Sequence, residues 1–235
     1  MASSDWTTLT NSIDNASLRS GVTSGITPPN GGGSYVYGFN SRASGFDGSR
    51  ALKYTGVNFN PIAAEGGIIS GAMIRLSSGG TTGFAPFLFF SEQANDIGGE
   101  GYMVGLQDDD PSFLVLRKGI LNEGLPAGLV GQNGILRKSS EAIATATWVH
   151  LRLTVVVQGT GDVLLTVEQN DLTANSVSSP VWQAISGMDT FTDDALGINS
   201  GSLPFAGGRQ GFGMYANDIS RRAAFDHITI ERQLP

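Results

Sequence analysis

Apolar and polar residues alternate with a period of two over much of the chain, as in strands with one buried face. The clearest run is WVHLRLTVVV, Trp148 to Val157. Val149, Leu151, Leu153, Val155 and Val157 fall on one side, and Trp148, His150, Arg152, Thr154 and Val156 on the other. The first side reads as core and the second as half wet. Burying each aliphatic contributes roughly 1.5–3 kcal/mol, and a slip of one residue would bury Arg152, so this strand has one register.

Similar patterns recur at short spacing. SYVYGFNS and SRALKYTG are strand candidates parted by the turn RASGFDG. GGIISGAMIRLSS alternates small and large apolar residues. GFAPFLFFSEQ is apolar throughout, which predicts a strand covered on both faces. GYMVGLQ and SFLVLRKG form an expected hairpin across DDDP, and WVHLRLTVVVQG and VLLTVEQND another across TGD. RQGFGMYAND and RAAFDHITIERQ close the chain. SSDWTTLTNSIDNASLR has room for a helical turn or two, with Asp5 as a cap, and SSEAIATAT is too short to assign.

No strand–helix–strand alternation appears, which argues against a parallel α/β sheet. The pattern predicts an all-β, two-sheet antiparallel sandwich of about 11–12 strands with little helix. The glycine-rich TPPNGGGS runs directly into a strand and reads as a surface loop, not a linker. The expected organisation is a less regular segment over residues 1–33 and a single sandwich over 34–235.

Composition narrows the chemistry. The 235 residues include 33 glycines, suited to tight turns, and no cysteine, so disulfides and thiolate metal sites are excluded. A net charge of −7, with dispersed basic residues, argues against nucleic acid as a partner. No apolar run approaches the roughly 20 residues of a membrane helix. Met1-Ala2-Ser3-Ser4-Asp5-Trp6 lacks the basic and apolar regions of a signal peptide, so synthesis in a cytoplasm without export by that route is expected.

Catalytic signals are missing. There is no alternating carboxylate run of the kind sandwich glycosidases carry, and Glu168 and Asp171 point to opposite faces. No G-x-S-x-G elbow, phosphate-cradling loop or H-E-x-x-H occurs. Catalytic residues: none; the chain reads as non-enzymatic. Asp108, Asp109 and Asp110 lack the spacing of a calcium loop and read as a turn. His150 and His227 read as surface histidines on separate strands. Trp148 and Trp182 read as plugs of the sandwich edge, with sugar stacking as the alternative.

The last strand poses a question. Alternation puts Asp226 on one side with Ile228 and Ile230, and Phe225, His227, Thr229 and Glu231 on the other. A carboxylate on an apolar face must be paired or hydrogen-bonded. Backbone N–H groups of a turn and one of Arg209, Arg221 and Arg222 are the alternatives that the residues themselves offer.

The order GYMVGL, FLVLRKG, TWVHLRLTVVVQGTGDVLLTVEQND and RQGFGMYAND…RAAFDHITIER resembles concanavalin A-like, laminin-G-type jelly rolls over residues 34 to 232. The resemblance implies a jelly-roll sandwich, and a structural calcium held by Asp226 as the one cofactor to consider. LTVEQNDLTANSVSSPVWQAISGMDTFTDDALGINSGSLPFAGGRQGFGMYA further resembles virion structural proteins of tailed bacteriophages. That resemblance implies a part of a tail, baseplate, fibre or head decoration, located in the virion and made in the host cytoplasm. Its partners would be other virion proteins, with a homo-oligomer on a symmetric particle. A carbohydrate-binding module recognising host surface glycans is the alternative function.

Overall fold

The strand from Trp148 to Val157 stands inside an antiparallel sheet, with its odd-numbered aliphatics fully turned into the core. The computed structural model describes residues 6–10, 16–20, 26–33, 35–40, 48–54, 66–76, 84–91, 100–107, 111–120, 125, 129–194, 204, 208–216 and 222–233. The expected turn residues 42–47, the acids Asp108, Asp109 and Asp110, and Arg221 fall outside these.

In chain order the strands are β1 (Trp6–Thr10), β2 (Ala16–Ser20), β3 (Tyr35–Asn40), β4 (Gly48–Tyr54), β5 (Gly66–Arg75), β6 (Phe84–Ser91) and β7 (Glu100–Leu106). There follow β8 (Ser112–Ile120), β9 (Ile135–Ile143), β10 (Trp148–Val157), β11 (Val163–Asn170), β12 (Trp182–Ala184), β13 (Phe191–Asp193), β14 (Arg209–Ala216) and β15 (Arg222–Gln233). The described residues contain no helix. The first sheet runs β1-β4-β14-β6-β7-β8-β9. The second runs β12-β11-β10-β5-β15-β3-β2, with β13 also paired to β11. All named pairings are antiparallel, and the two sheets make a jelly-roll-like sandwich.

Three stretches differ from the sequence pattern. The helical turns expected before residue 20 are instead β1 and β2, which pair with β4 and β3. Thr7, Thr8 and Thr10 suit a pleated strand better than a helix. SSEAIATAT belongs partly to β9, an edge strand with two register shifts, whose Arg137, Lys138 and Glu141 obscure the alternation. β12 and β13 span three residues each, too few for a period to show.

The intersheet core is one cluster drawn from both sheets. It includes Leu88, Phe90, Tyr102, Val104 and Phe212 from the first and Ile69, Met73, Leu151, Leu153 and Phe225 from the second. The predicted double coverage of β6 is present. Leu88 and Phe90 enter this core, while Phe87 and Phe89 join Met103, Val115, Leu125 and Ile135 in a cluster on the first sheet's other face. A polar tie crosses the core. The Tyr102 hydroxyl donates to Asp193 Oδ2 at 2.6 Å, and Lys118 Nζ lies 2.6 Å from the same oxygen, all three buried. Tyr102 and Lys118 belong to the first sheet and Asp193 to β13, so the tie fixes how the sheets meet.

Candidate functional site

The outer face of the second sheet carries the polar residues of its strands in aligned rows. Cross-strand register places Trp182, Asn170, His150, Ala72 and Asp226 in one row. The next outward-facing row holds Ala184, Glu168, Arg152, Ser70 and Thr229. Side chains in one row stand about 4.5–5.5 Å apart at Cβ, so each row is a line of contacts.

The row containing Asp226 answers the question raised by the last strand, and it corrects the expected faces. β15 carries a β-bulge between Asp226 and Thr229: Asp226 pairs with Ala72 and Thr229 with Ser70, so His227 and Ile228 both oppose Gly71. His227 supplies the bend, at φ 51°. Before the bulge Phe225 points into the core, and after it Ile228 and Ile230 do. Gly71 makes room for Ile228, whose Cδ1 would lie 2.3 Å from a Cβ at position 71. Asp226 therefore shares the outer face with His227, Thr229 and Glu231. Period-two counting fails here because one extra residue reverses its parity.

The Asp226 carboxylate is half-buried. Its Oδ1 accepts the His227 backbone N–H at 2.7 Å, and its Oδ2 has no hydrogen-bond partner. Burial pushes its pKa up, against the opposing pull of the backbone amides of His227 and Gly33 and the charge of His227. Oδ2 packs so tightly on Gly32 that a Cβ there would stand 2.3 Å away. Calcium takes 6–8 oxygen ligands. N–H groups around one crowded carboxylate do not suit it, and no group of three or more metal-ligating side chains occurs among the described residues.

His150 is not a surface histidine: it is 1% exposed. Its ring meets the Trp182 ring edge-on at 4.7 Å and the His227 ring at 6.2 Å. Asn170 Nδ2 lies 3.2 Å from His150 Nδ1. The amide nitrogen can only donate, so Nδ1 accepts and the imidazole proton sits on Nε2, which has no hydrogen-bond partner. Burial first, and then the charge of His227, lower the His150 pKa to about 4, leaving the ring uncharged at neutral pH.

Asn170 also fastens the loop over this site. Its Nδ2 donates to the Ser176 carbonyl at 3.0 Å, and its Oδ1 accepts the Val181 N–H at 3.0 Å. The glycine-rich loop near residue 30 holds the same segment from the other side. Asn30 Nδ2 donates to the Asn175 carbonyl, and the Val177 N–H donates to the Asn30 carbonyl. Gly31, at φ 73°, is required there because a Cβ would stand 2.4 Å from Ser176 Cβ.

Between this loop and the sheet lies a cleft of about 200 Å³. His150, Arg152, Trp182, His227, Thr229 and Glu231 line it, with Ser70 and aliphatic groups. Arg152 stacks on the Trp182 ring at 4.8 Å and donates through Nε (2.8 Å) and Nη2 (2.5 Å) to Glu168 Oε2. The Ser70 and Thr229 hydroxyls share a hydrogen bond of 2.6 Å. Trp182 is thus a wall of the cleft and not only an edge plug. Trp148 is a plug: its Nε1 donates to the Thr27 carbonyl, and it packs with Ile26 and Leu76 on Ile74 and Ala224. Sequence reasoning missed the convergence of the two histidines with Trp182, Arg152 and Glu168. The alternation in WVHLRL and VLLTVEQN held the Arg152–Glu168 part of it, given the register of the hairpin.

No family model and no curated protein matches the chain. Solved structures resemble it in fold. Cellulose induced protein Cip1 superposes with a TM-score of 0.53 at 11% identity, over 98% of this chain and 93% of that one. The carbohydrate-binding module CBM66 from Bacillus subtilis gives 0.47 at 12%, over 97% and 95%. A conserved carbohydrate esterase from the Shiga toxin-encoding bacteriophage phi24B gives 0.48 at 14%, over 96% and 89%. At these identities the likeness shows the fold alone.

The comparisons nevertheless correct the expected resemblance to virion structural proteins. These neighbours, and the carbohydrate recognition and lectin domains that also match, are named for carbohydrate binding, cellulose induction or a carbohydrate esterase, and none is named as a virion structural protein. The tail, baseplate, fibre or head-decoration role falls with it. So do the virion partners, the homo-oligomer on a symmetric particle, and the virion location. The chain is a jelly-roll-like sandwich, and its sequence carries none of the catalytic motifs considered above.

Proposed function

We propose that the chain is a carbohydrate-binding module whose sugar site is the cleft on the outer face of the second sheet. One observation carries this reading: the Trp182 ring walls a small cleft that also gathers Arg152, Thr229, Ser70 and Glu231. A pyranose has apolar C–H patches that suit an aromatic wall and hydroxyls that both donate and accept. Pockets for drug-sized ligands run to roughly 300–1,000 Å³, so a cleft of about 200 Å³ suits one sugar ring. The wall is pre-organised: Arg152 and His150 hold the indole, and Asn170 holds the backbone just before it.

A glycan array probed with the wild type and with Trp182→Ala tests the reading. We expect the wild type to retain at least one saccharide and Trp182→Ala to bind it at least about ten-fold more weakly, the scale of losing one buried aromatic contact. Absence of wild-type binding across the array, or equal binding by a folded Trp182→Ala, overturns it.

A further inference from the structure

Resting on that reading, we infer that the cleft selects uncharged sugar rings and rejects acidic ones, with Glu231 as the residue that sets this preference. Arg152 is the cleft's one permanent cation, and both Nε and Nη2 are committed to Glu168. Glu168 stays with Arg152 because register places the two opposite each other on β10 and β11. His150 is enclosed, with Asn170 donating to its Nδ1. His227 lies beside the Asp226 carboxylate, which accepts the His227 backbone N–H. From β15, Glu231 stands exposed at the rim with no ion-pair partner among the described residues.

The unpaired charge at the entrance is thus negative. A sugar carboxylate or sulfate entering the cleft would meet Glu231, and the one guanidinium there already has its charge paired by Glu168, whereas acidic-sugar recognition relies on an unpaired cation. An uncharged ring brings only hydroxyl groups. Its O–H donors suit the Glu231 carboxylate, which can only accept. The Ser70–Thr229 pair has one hydroxyl proton already shared between its two oxygens, leaving the other proton and further lone pairs for a ligand hydroxyl.

The test uses an array carrying uncharged oligosaccharides together with sialylated, uronate-containing and sulfated ones, probed with the wild type and with Glu231→Lys. Equal melting temperatures establish that the variant is folded. The wild type should bind uncharged saccharides at least about ten-fold more tightly than acidic counterparts of the same backbone, and Glu231→Lys should narrow that gap by about ten-fold, as expected for reversing one nearby charge. Wild-type binding to acidic saccharides as tight as to uncharged ones overturns the selectivity while leaving the sugar site standing. A gap unchanged in the folded Glu231→Lys protein overturns the role of Glu231. An array silent for both classes overturns the sugar site and this inference with it.

Discussion

The two sheets turn very different faces away from their shared core. On the first sheet, Phe87, Phe89, Met103 and Val115 are sealed by Leu125 and Ile135, so that face is a second apolar core. On the second sheet, the corresponding side carries His150, Asn170, Arg152, Glu168 and Asp226 beneath a polar loop. Apolar burial needs no exact partners and is satisfied by contact alone. Buried polar groups must be matched one by one, and on the second face His150 Nε2 and Asp226 Oδ2 are left without a partner. Apolar packing thus fills one outer face, and the other holds the site proposed for recognition.

Truncating the sealed face should have the largest effect. Phe89→Ala removes a fully buried ring and is expected to cost about 3–5 kcal/mol, read by urea denaturation. A loss below about 1 kcal/mol would mean the cluster over β6 is loosely packed.

Acid is the next test, and it addresses the polar face. His150 has an ordinary value of 6.5 and a folded value of about 4. Above pH 6.5 the ring is neutral whether the chain is folded or not. Between 6.5 and about 4 the unfolded chain takes up a proton that the folded chain refuses, so stability falls as pH falls; below about 4 the loss levels off. The melting temperature of the wild type should drop across this window more steeply than that of His150→Gln. Parallel curves would mean that His150 is not held neutral.

Arg152→Ala should cost about 1 kcal/mol or less, since its ion pair with Glu168 is only partly buried, yet weaken sugar binding by loosening Trp182. Calorimetric melting and the array measure the two effects separately; a large loss of stability with intact binding would reverse the roles of the two faces. The smallest effect belongs to Asp226→Asn. Burial raises the pKa of Asp226, so the charged carboxylate costs stability at neutral pH, a cost that appears as pH rises through its folded value. Asn keeps an acceptor for the His227 N–H and removes the charge, so a small rise in melting temperature at pH 7 is expected. A fall would show that the charge itself is needed.

Legibility in the sequence followed the same division. The core side of β10 and the double burial of β6 are local patterns, set by which residues are apolar and by a period of two. The polar site depends on separations such as His150 to His227 and Arg152 to Glu168, which only strand order and register bring together. Edge elements were hidden because a strand paired on one side, such as β9, bears charges where a central strand would alternate. Asp226 was misplaced by a single residue of bulge, for which period-two counting has no signal.

That bulge gives the last strand something like a reading frame. Residues 222–226 and 229–233 are each in phase with β5 but out of phase with one another. Removing His227 alone would erase the bulge and leave Phe225, Ile228 and Ile230 in one plain alternation, with both halves paired to β5 as before. The loss of two residues at the same place would put the second half out of frame and turn Ile230 outward. Homologous chains that vary in length at this position should therefore do so together with a compensating change in Gly71, the small residue against which the extra one is accommodated.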